Sequence, residues 1–202
     1  ETKGAEIMIV LDVSNSMLAE DYSPNRLERA KLAISRLVDK LREDRIGLIV
    51  FAGNSFVQLP ITTDYVSAKM FLNSISTESV PVQGTAIGDA INTAMRSFSA
   101  QSEKSRAIIV ITDGENHEDD PVAAAAQAAE LGVRVFAVGV GSPEGQPIPM
   151  DGELLKDKDG EIVVTRLDEK VLQEMAQAGN GVYVRAGASE FGLNPIIENI
   201  KR

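Results

Sequence analysis

The sequence predicts an α/β domain built on a doubly wound, mainly parallel sheet of six strands, with one antiparallel edge strand and helices on both faces. Three observations predict it. Apolar runs of strand length, such as "EIMIVL" (6–11) and "RAIIVIT" (106–112), lack the polar alternation of a half-exposed strand, so both of their faces are covered. Segments with apolar residues at helical spacing separate those runs, which is the pattern of parallel crossovers. The chain has 202 residues, enough for one sizeable core.

The first strand, 6–11, runs into Asp12. Leu27, Ala30, Ile34, Leu37, Val38 and Leu41 then recur at helical spacing, with Pro24 ahead as a start signal. "RIGLIVFA" (45–52) reads as the second strand and "VQLPIT" (57–62) as the third. "GNSF" between them is too short for a crossover helix, so the pair is an antiparallel hairpin at the sheet edge, where Pro60 is tolerated. A short helix is expected over 65–75. Ile87, Ala90, Ile91, Ala94, Met95 and Phe98 form the cleanest amphipathic stripe. The fourth strand, 106–112, ends at Asp113. An Ala-rich helix follows, with Pro121 at its first position and Gly132 as its C-terminal signal. "VRVFAVGV" (133–140) is the fifth strand. Asp168 is expected to cap a helix that stops at Gly179, "GVYVRA" (181–186) is the sixth strand, and Leu193, Ile196, Ile197 and Ile200 mark a last helix.

One segment breaks the alternation. About 25 residues separate the fifth strand from the next helix, long for a structureless loop. In it "ELL" and "IVVT" flank Asp159-Gly160, a hairpin-turn dipeptide, so residues 142–166 are expected to be a β-hairpin insertion. "DKDGE" imitates a calcium loop, but an EF-hand loop places its Gly sixth and Gly160 stands fourth after Asp157. No repeat, linker or low-complexity segment divides the chain, and residues 1–202 are read as one domain.

Composition excludes several functions. Acidic residues outnumber basic ones 30 to 20, a net charge of −10, which argues against nucleic acid as a partner. There is no cysteine, hence no disulfide, thiolate metal site or cysteine nucleophile. No stretch approaches the roughly 20 apolar residues of a membrane span, and the N-terminus lacks a signal-peptide pattern. A chain that starts "ETKGAE" without Met is expected to be a processed or excised domain.

The chemistry gathers at one edge. In an open α/β sheet, ligands bind beyond the carboxyl ends of the strands. Asp12, Ser14 and Ser16 follow the first strand as D-x-S-x-S, Thr85 opens the amphipathic helix in "QGTAIGDAI", and Asp113 ends the fourth strand in "TDGE". Two carboxylates and three hydroxyls are hard oxygen donors suited to Mg²⁺ or Mn²⁺. Two carboxylates only just neutralise a divalent ion, so it stays electrophilic and can take an outside oxygen, such as a carboxylate of another protein. Each motif by itself is also what a helix cap looks like; the three in this order are harder to explain so.

"DVSNSMLAEDYSPNRLERAK", "DRIGLIVFAG", "QLPITTDY", "VPVQGTAIGDAI", "RAIIVITDGENHEDD", "VGVGSPEGQPIP" and "LLKDKDG" together resemble the von Willebrand factor A (VWA) domains with an intact metal-ion-dependent adhesion site (MIDAS). Over nearly the whole length the resemblance is to the bacterial Bat-type branch (BatA/BatB, aerotolerance operon). It implies a Rossmann-like fold, Mg²⁺ held by Asp12, Ser14, Ser16, Thr85 and Asp113, and ligation of an acidic residue from a partner protein, other Bat proteins included. It also implies membrane spans flanking the domain and a periplasmic position at the bacterial inner membrane.

Other functions fit the sequence less well. Haloacid-dehalogenase-type phosphatases also place an Asp after the first strand, but they need an acid/base carboxylate two residues later, and Ser14 stands there. The glycines Gly139, Gly141 and Gly145 precede a hairpin rather than the helix N-terminus that binds a dinucleotide. A metal that only rigidifies loops is the remaining alternative. His117, the only histidine, reads as a surface residue. The expected function is non-enzymatic, metal-dependent protein binding.

Overall fold

The computed structural model describes residues 4–99, 104–115, 117–187 and 191–201, so the outermost residues of the expected 1–202 domain lie outside it. In chain order the elements are β1 (Ala5–Asp12), α1 (Arg26–Val38), β2 (Arg45–Phe51), β3 (Ser55–Thr62), α2 (Tyr65–Asn73), α3 (Ile87–Met95) and β4 (Ser105–Thr112). They continue with α4 (Pro121–Glu130), β5 (Val133–Gly139), the short strands β6 (Gln146–Pro147), β7 (Pro149–Met150), β8 (Glu153–Leu154) and β9 (Val164–Thr165), then α5 (Glu169–Ala178), β10 (Asn180–Arg185) and α6 (Leu193–Ile200).

The six-stranded sheet has the order β10-β5-β4-β1-β2-β3, parallel throughout except for β3, which pairs antiparallel with β2 at the edge. Pro60 lies where the β2–β3 register slips between Ile46↔Thr62 and Leu48↔Leu59, a bulge that spares the ladder a missing donor. Two cores follow from the two-residue period of the strands. Ile7, Ile9 and Leu11 of β1 pack with α1, α2 and α6 on one face. Met8 and Val10 pack with α3, α4 and α5 on the other. Every residue of β1 is buried, which explains why residues 7–11 at its centre are an unbroken apolar run.

Several local expectations change. α3 stops at Met95, short of Phe98. Asp168 occupies the N-cap of α5 but its side chain makes no cap bond; its backbone N–H instead donates to the Asp113 carbonyl at 2.8 Å. Gly179 ends α5 at φ −86 rather than in the left-handed region, and glycine is needed there because a Cβ would lie 2.5 Å from Val135 Cβ.

The insertion is more folded than one hairpin. Asp159-Gly160 does sit in a turn, closed by Asp157 N–H to the Glu161 carbonyl at 2.8 Å and followed by the Lys156↔Ile162 bridge. However, β8 pairs with β7, and β9 pairs with β6. The β7–β8 link is a second Asp-Gly turn, Asp151-Gly152, with φ of +52 and +82 as a mirror-type hairpin turn requires. The insertion therefore folds back on itself through two sets of strand pairs, and Thr165 of β9 ends up fully buried.

Candidate metal centre

β1 and β4 are neighbours in register, with Leu11 beside Ile111, so their carboxyl ends deliver Asp12 and Asp113 to the same edge. Both carboxylates are fully buried. After Asp12 the chain stays extended through Ser14 (φ −63, ψ 163) and then tightens into one 3₁₀ turn, Asn15–Leu18. This places the two serines between the carboxylates. Ser14 N–H donates to Asp12 Oδ1 at 2.9 Å, the Ser14 and Ser16 hydroxyls lie 3.0 Å apart, and Ser16 Oγ–H donates to Asp113 Oδ2 at 2.5 Å. Asp12, Ser14, Ser16 and Asp113 thus form one hydrogen-bonded chain.

Thr85 stands on the facing loop, buried but outside that chain. The loop is held at both ends. Ala86 N–H donates to the Ala52 carbonyl at 2.7 Å, and the Thr85 carbonyl accepts from Glu118 N–H at 3.0 Å. Asn15 N–H to Gln83 Oε1 at 3.3 Å links it to the serine turn. Thr85 does not cap α3. Asp119 from the loop after β4 does so, accepting from Gly88 N–H and Asp89 N–H at 2.8 Å each, which leaves the Thr85 side chain clear of the capping role. His117 is exposed, apart from the cluster.

The electrostatics show surplus negative charge. Burial raises the pKa of Asp12, against the hydrogen bonds of Ser14 and Thr112. Burial, and next the charge of Asp12, push Asp113 up to about 7. A buried pair that holds on to a proton near neutrality is what a cation would relieve. Among the described residues no group of three or more His, Asp or Glu side chains converges as a metal site. Any cation here would rely on the hydroxyls beside the two carboxylates. That donor set, all oxygen, fits Mg²⁺ or Mn²⁺.

Thr112, Arg26, Asp21 and Thr165 also support the cluster and were not singled out from the sequence. Thr112 Oγ1–H donates to Asp12 Oδ2 at 2.6 Å and accepts from Gly114 N–H at 3.0 Å. Arg26, fully buried, donates to Asp113 Oδ2 at 3.1 Å, to Thr165 Oγ1 at 3.2 Å, and through Nε and Nη2 to both oxygens of Asp21 at 2.8 Å. Burial opposes the charge on Arg26, and Asp21 and Asp113 outweigh it, raising its pKa. Only glycine fits at Gly141, because a Cβ there would meet Arg26 Cζ at 2.8 Å. The readable signal was positional: Arg26 is the first residue of α1, where a cation opposes the helix dipole and needs another purpose.

The alternative chemistries gain nothing from this geometry. Gly139 and Gly141 lead into the insertion, and the next helix begins only at Glu169, so they hold no helix N-terminus for a pyrophosphate. Among the described residues no helix is long and apolar enough to cross a membrane.

Comparison with known proteins agrees with the architecture. A von Willebrand factor type A domain model matches residues 7–115, and a second model of the same description matches residues 160–185. The crystal structure of BatB from Bacteroides thetaiotaomicron is 56% identical with a TM-score of 0.95, over 98% of this chain and 97% of that one. An aerotolerance-related membrane protein from Bacteroides fragilis is 54% identical with a TM-score of 0.94, over 98% of each chain. Proximal thread matrix protein 1 of the mussel byssus, solved with a zinc-occupied MIDAS motif, shares the fold at 21% identity and a TM-score of 0.71, over 98% of this chain and 45% of that one. Among curated sequences, a Borreliella burgdorferi protein is 36% identical over 146 residues, covering 70% of this chain and 42% of its own length. The chain spans about half the length of the curated relatives it matches. With a parallel sheet of this order, a family match across more than half its residues and near-complete superposition on BatB, the chain belongs to the von Willebrand factor type A domain family.

Proposed function

We propose that the domain binds one divalent cation, Mg²⁺ or Mn²⁺, through Asp12, Ser14, Ser16, Thr85 and Asp113, and uses it to hold an acidic side chain of a partner protein. The observation that carries this reading is the pair of buried carboxylates bridged by Ser14 and Ser16 at the ligand edge of the sheet. A cation would supply Lewis acidity toward an outside carboxylate oxygen. The chain's own residues do the rest. Thr112 and Ser14 N–H orient Asp12, while Arg26 and Glu115 N–H orient Asp113. Arg26 also offsets part of the negative charge, so the site keeps an affinity for one more anion. The zinc-occupied motif of the mussel protein supports a divalent ion in this fold.

On this reading the domain is a non-catalytic interaction module of a Bat-type, aerotolerance-related membrane protein. It faces the periplasm from the inner membrane, with other Bat proteins as natural partners and nucleic acid excluded by charge. The membrane assignment leans on the relative named as a membrane protein. Titration calorimetry with Mg²⁺ or Mn²⁺ tests the core of it: one site is expected in the wild type, none in Asp12→Ala, and weakened binding in Thr85→Ala, with the fold retained. Full-strength binding by Asp12→Ala would overturn the assignment, and unfolding of that variant would favour a metal that serves only the scaffold.

A further inference from the structure

A groove of about 600 Å³ lies on the same edge as the donor cluster. Three chain segments build it: the serine turn, residues 77–83, and the Asp151-Gly152 turn of the insertion. Asn15, which sits between Ser14 and Ser16, and Gln83, two residues before Thr85, both line it and are hydrogen-bonded to each other at 3.3 Å. The groove is therefore continuous with the proposed metal site.

Its walls have a definite chemistry. Leu18, Val80, Pro81, Pro149 and Met150 supply apolar surface, and Glu78 and Asp151 supply negative charge. Among the described residues no Lys or Arg lines it. The walls are also preformed. Val80 is anchored in the core, Ser76 and Ser79 close a capping box around the turn before it, and Pro81 and Pro149 fix their own φ. A groove that needs little ordering on binding wastes little affinity.

We propose that this groove is a second recognition subsite, which binds the residues flanking the partner's metal-bound carboxylate. The occupant is a short extended segment of a protein, carrying a large aliphatic side chain and a Lys or Arg next to its Asp or Glu. This rests on the metal-ligation reading above. The apolar wall selects the aliphatic group, since burying one Leu-sized side chain is worth about tenfold or more in affinity. Glu78 and Asp151 select the cation and reject a second acid, so an acidic anchor must come from an otherwise basic strip.

The test uses synthetic peptides and the whole domain. A heptapeptide display library is selected on immobilised domain in Mn²⁺ and eluted with chelator, and the winners are remade with the aliphatic residue changed to Ser or the basic one to Glu. Fluorescence polarisation should show each change costing about tenfold. On the protein side, Met150→Glu should remove the aliphatic preference and Glu78→Lys should reverse the charge preference. Neither touches a proposed metal ligand, and calorimetry with Mn²⁺ alone should give both variants wild-type metal affinity. Selected peptides with an acidic residue and random flanks, or no metal-dependent peptides at all, overturn the subsite while Mn²⁺ binding still stands. Loss of Mn²⁺ binding in the wild type would instead strike the metal reading itself.

Discussion

Asp12→Asn should stabilise the metal-free domain at pH 8 and abolish its response to a divalent cation. The amide keeps the Ser14 bond and reverses the Thr112 bond, whose hydroxyl proton must turn away from it. Its oxygen accepts from Ser14 N–H in place of Oδ1, and its NH₂ faces Thr112 Oγ1, an oxygen with two lone pairs of which Gly114 N–H takes one. The magnitude comes from Asp113, whose rise from 3.8 to about 7 corresponds to roughly 4 kcal/mol above neutral pH. Burial is the larger cause and persists in the variant; the charge of Asp12 is the next cause and disappears. The variant also drops the burial penalty of Asp12 itself. The expected gain is about 1–3 kcal/mol, or roughly 3–10 °C for a domain of this size.

The pH dependence has a definite sign. The folded state holds the Asp113 proton more tightly than the unfolded chain does. The penalty is absent below about pH 4, builds up between about 4 and 7, and is complete above that range. The advantage of Asp12→Asn should grow across the same window. Thermal and urea unfolding in chelator at pH 5 and pH 8, repeated with Mn²⁺, measure it. Wild type at a hundredfold excess of Mn²⁺ over its dissociation constant should gain about 2.7 kcal/mol and the variant nothing. A variant less stable than wild type at pH 8 in chelator, or one that still responds to Mn²⁺, would refute the reasoning.

Metal affinity should itself depend on pH, because a liganding Asp113 must release its proton: below about pH 7 the affinity falls up to tenfold per unit, and above it levels off. A flat calorimetric profile from pH 5.5 to 8 would remove Asp113 from the ligand set. Arg26→Gln leaves Asp21 and Asp113 without their buried cation and should cost about 3–5 kcal/mol in urea unfolding. It should also speed proteolysis of the insertion, since Thr165 loses its anchor; unchanged stability would show that Arg26 is not the fastener. Phosphate esters and nucleotides with Mg²⁺ should give only background hydrolysis, and turnover lost in Asp12→Asn would reopen the enzyme reading.

Much of the fold was legible because its signals are local. β1, β2, β4 and β5 are buried on both faces and therefore read as solid apolar runs. Pro60 and the short "GNSF" link marked the antiparallel edge, and Pro121 and Gly132 marked the ends of α4. The insertion was legible in existence and not in pairing. Two Asp-Gly turns compete in it, and which strand segment answers which depends on contacts between residues far apart in sequence.

The sequence by itself determined the residue types of the candidate site, because hard donors must be chosen at particular positions: Asp12, Ser14 and Ser16 on one loop, Thr85 and Asp113 on two others. It also determined the edge they share, since parallel strands send their carboxyl ends the same way. Only the tertiary structure decided how the charge is managed. Arg26 reaches Asp113, Asp21 and Thr165 from a helix start, and Thr112 reaches across from β4 to Asp12. Asp119 caps α3 and leaves Thr85 unencumbered. Such partners are set by packing in three dimensions, where a side chain's neighbours lie as many as 139 residues away, and no periodicity along the chain encodes them.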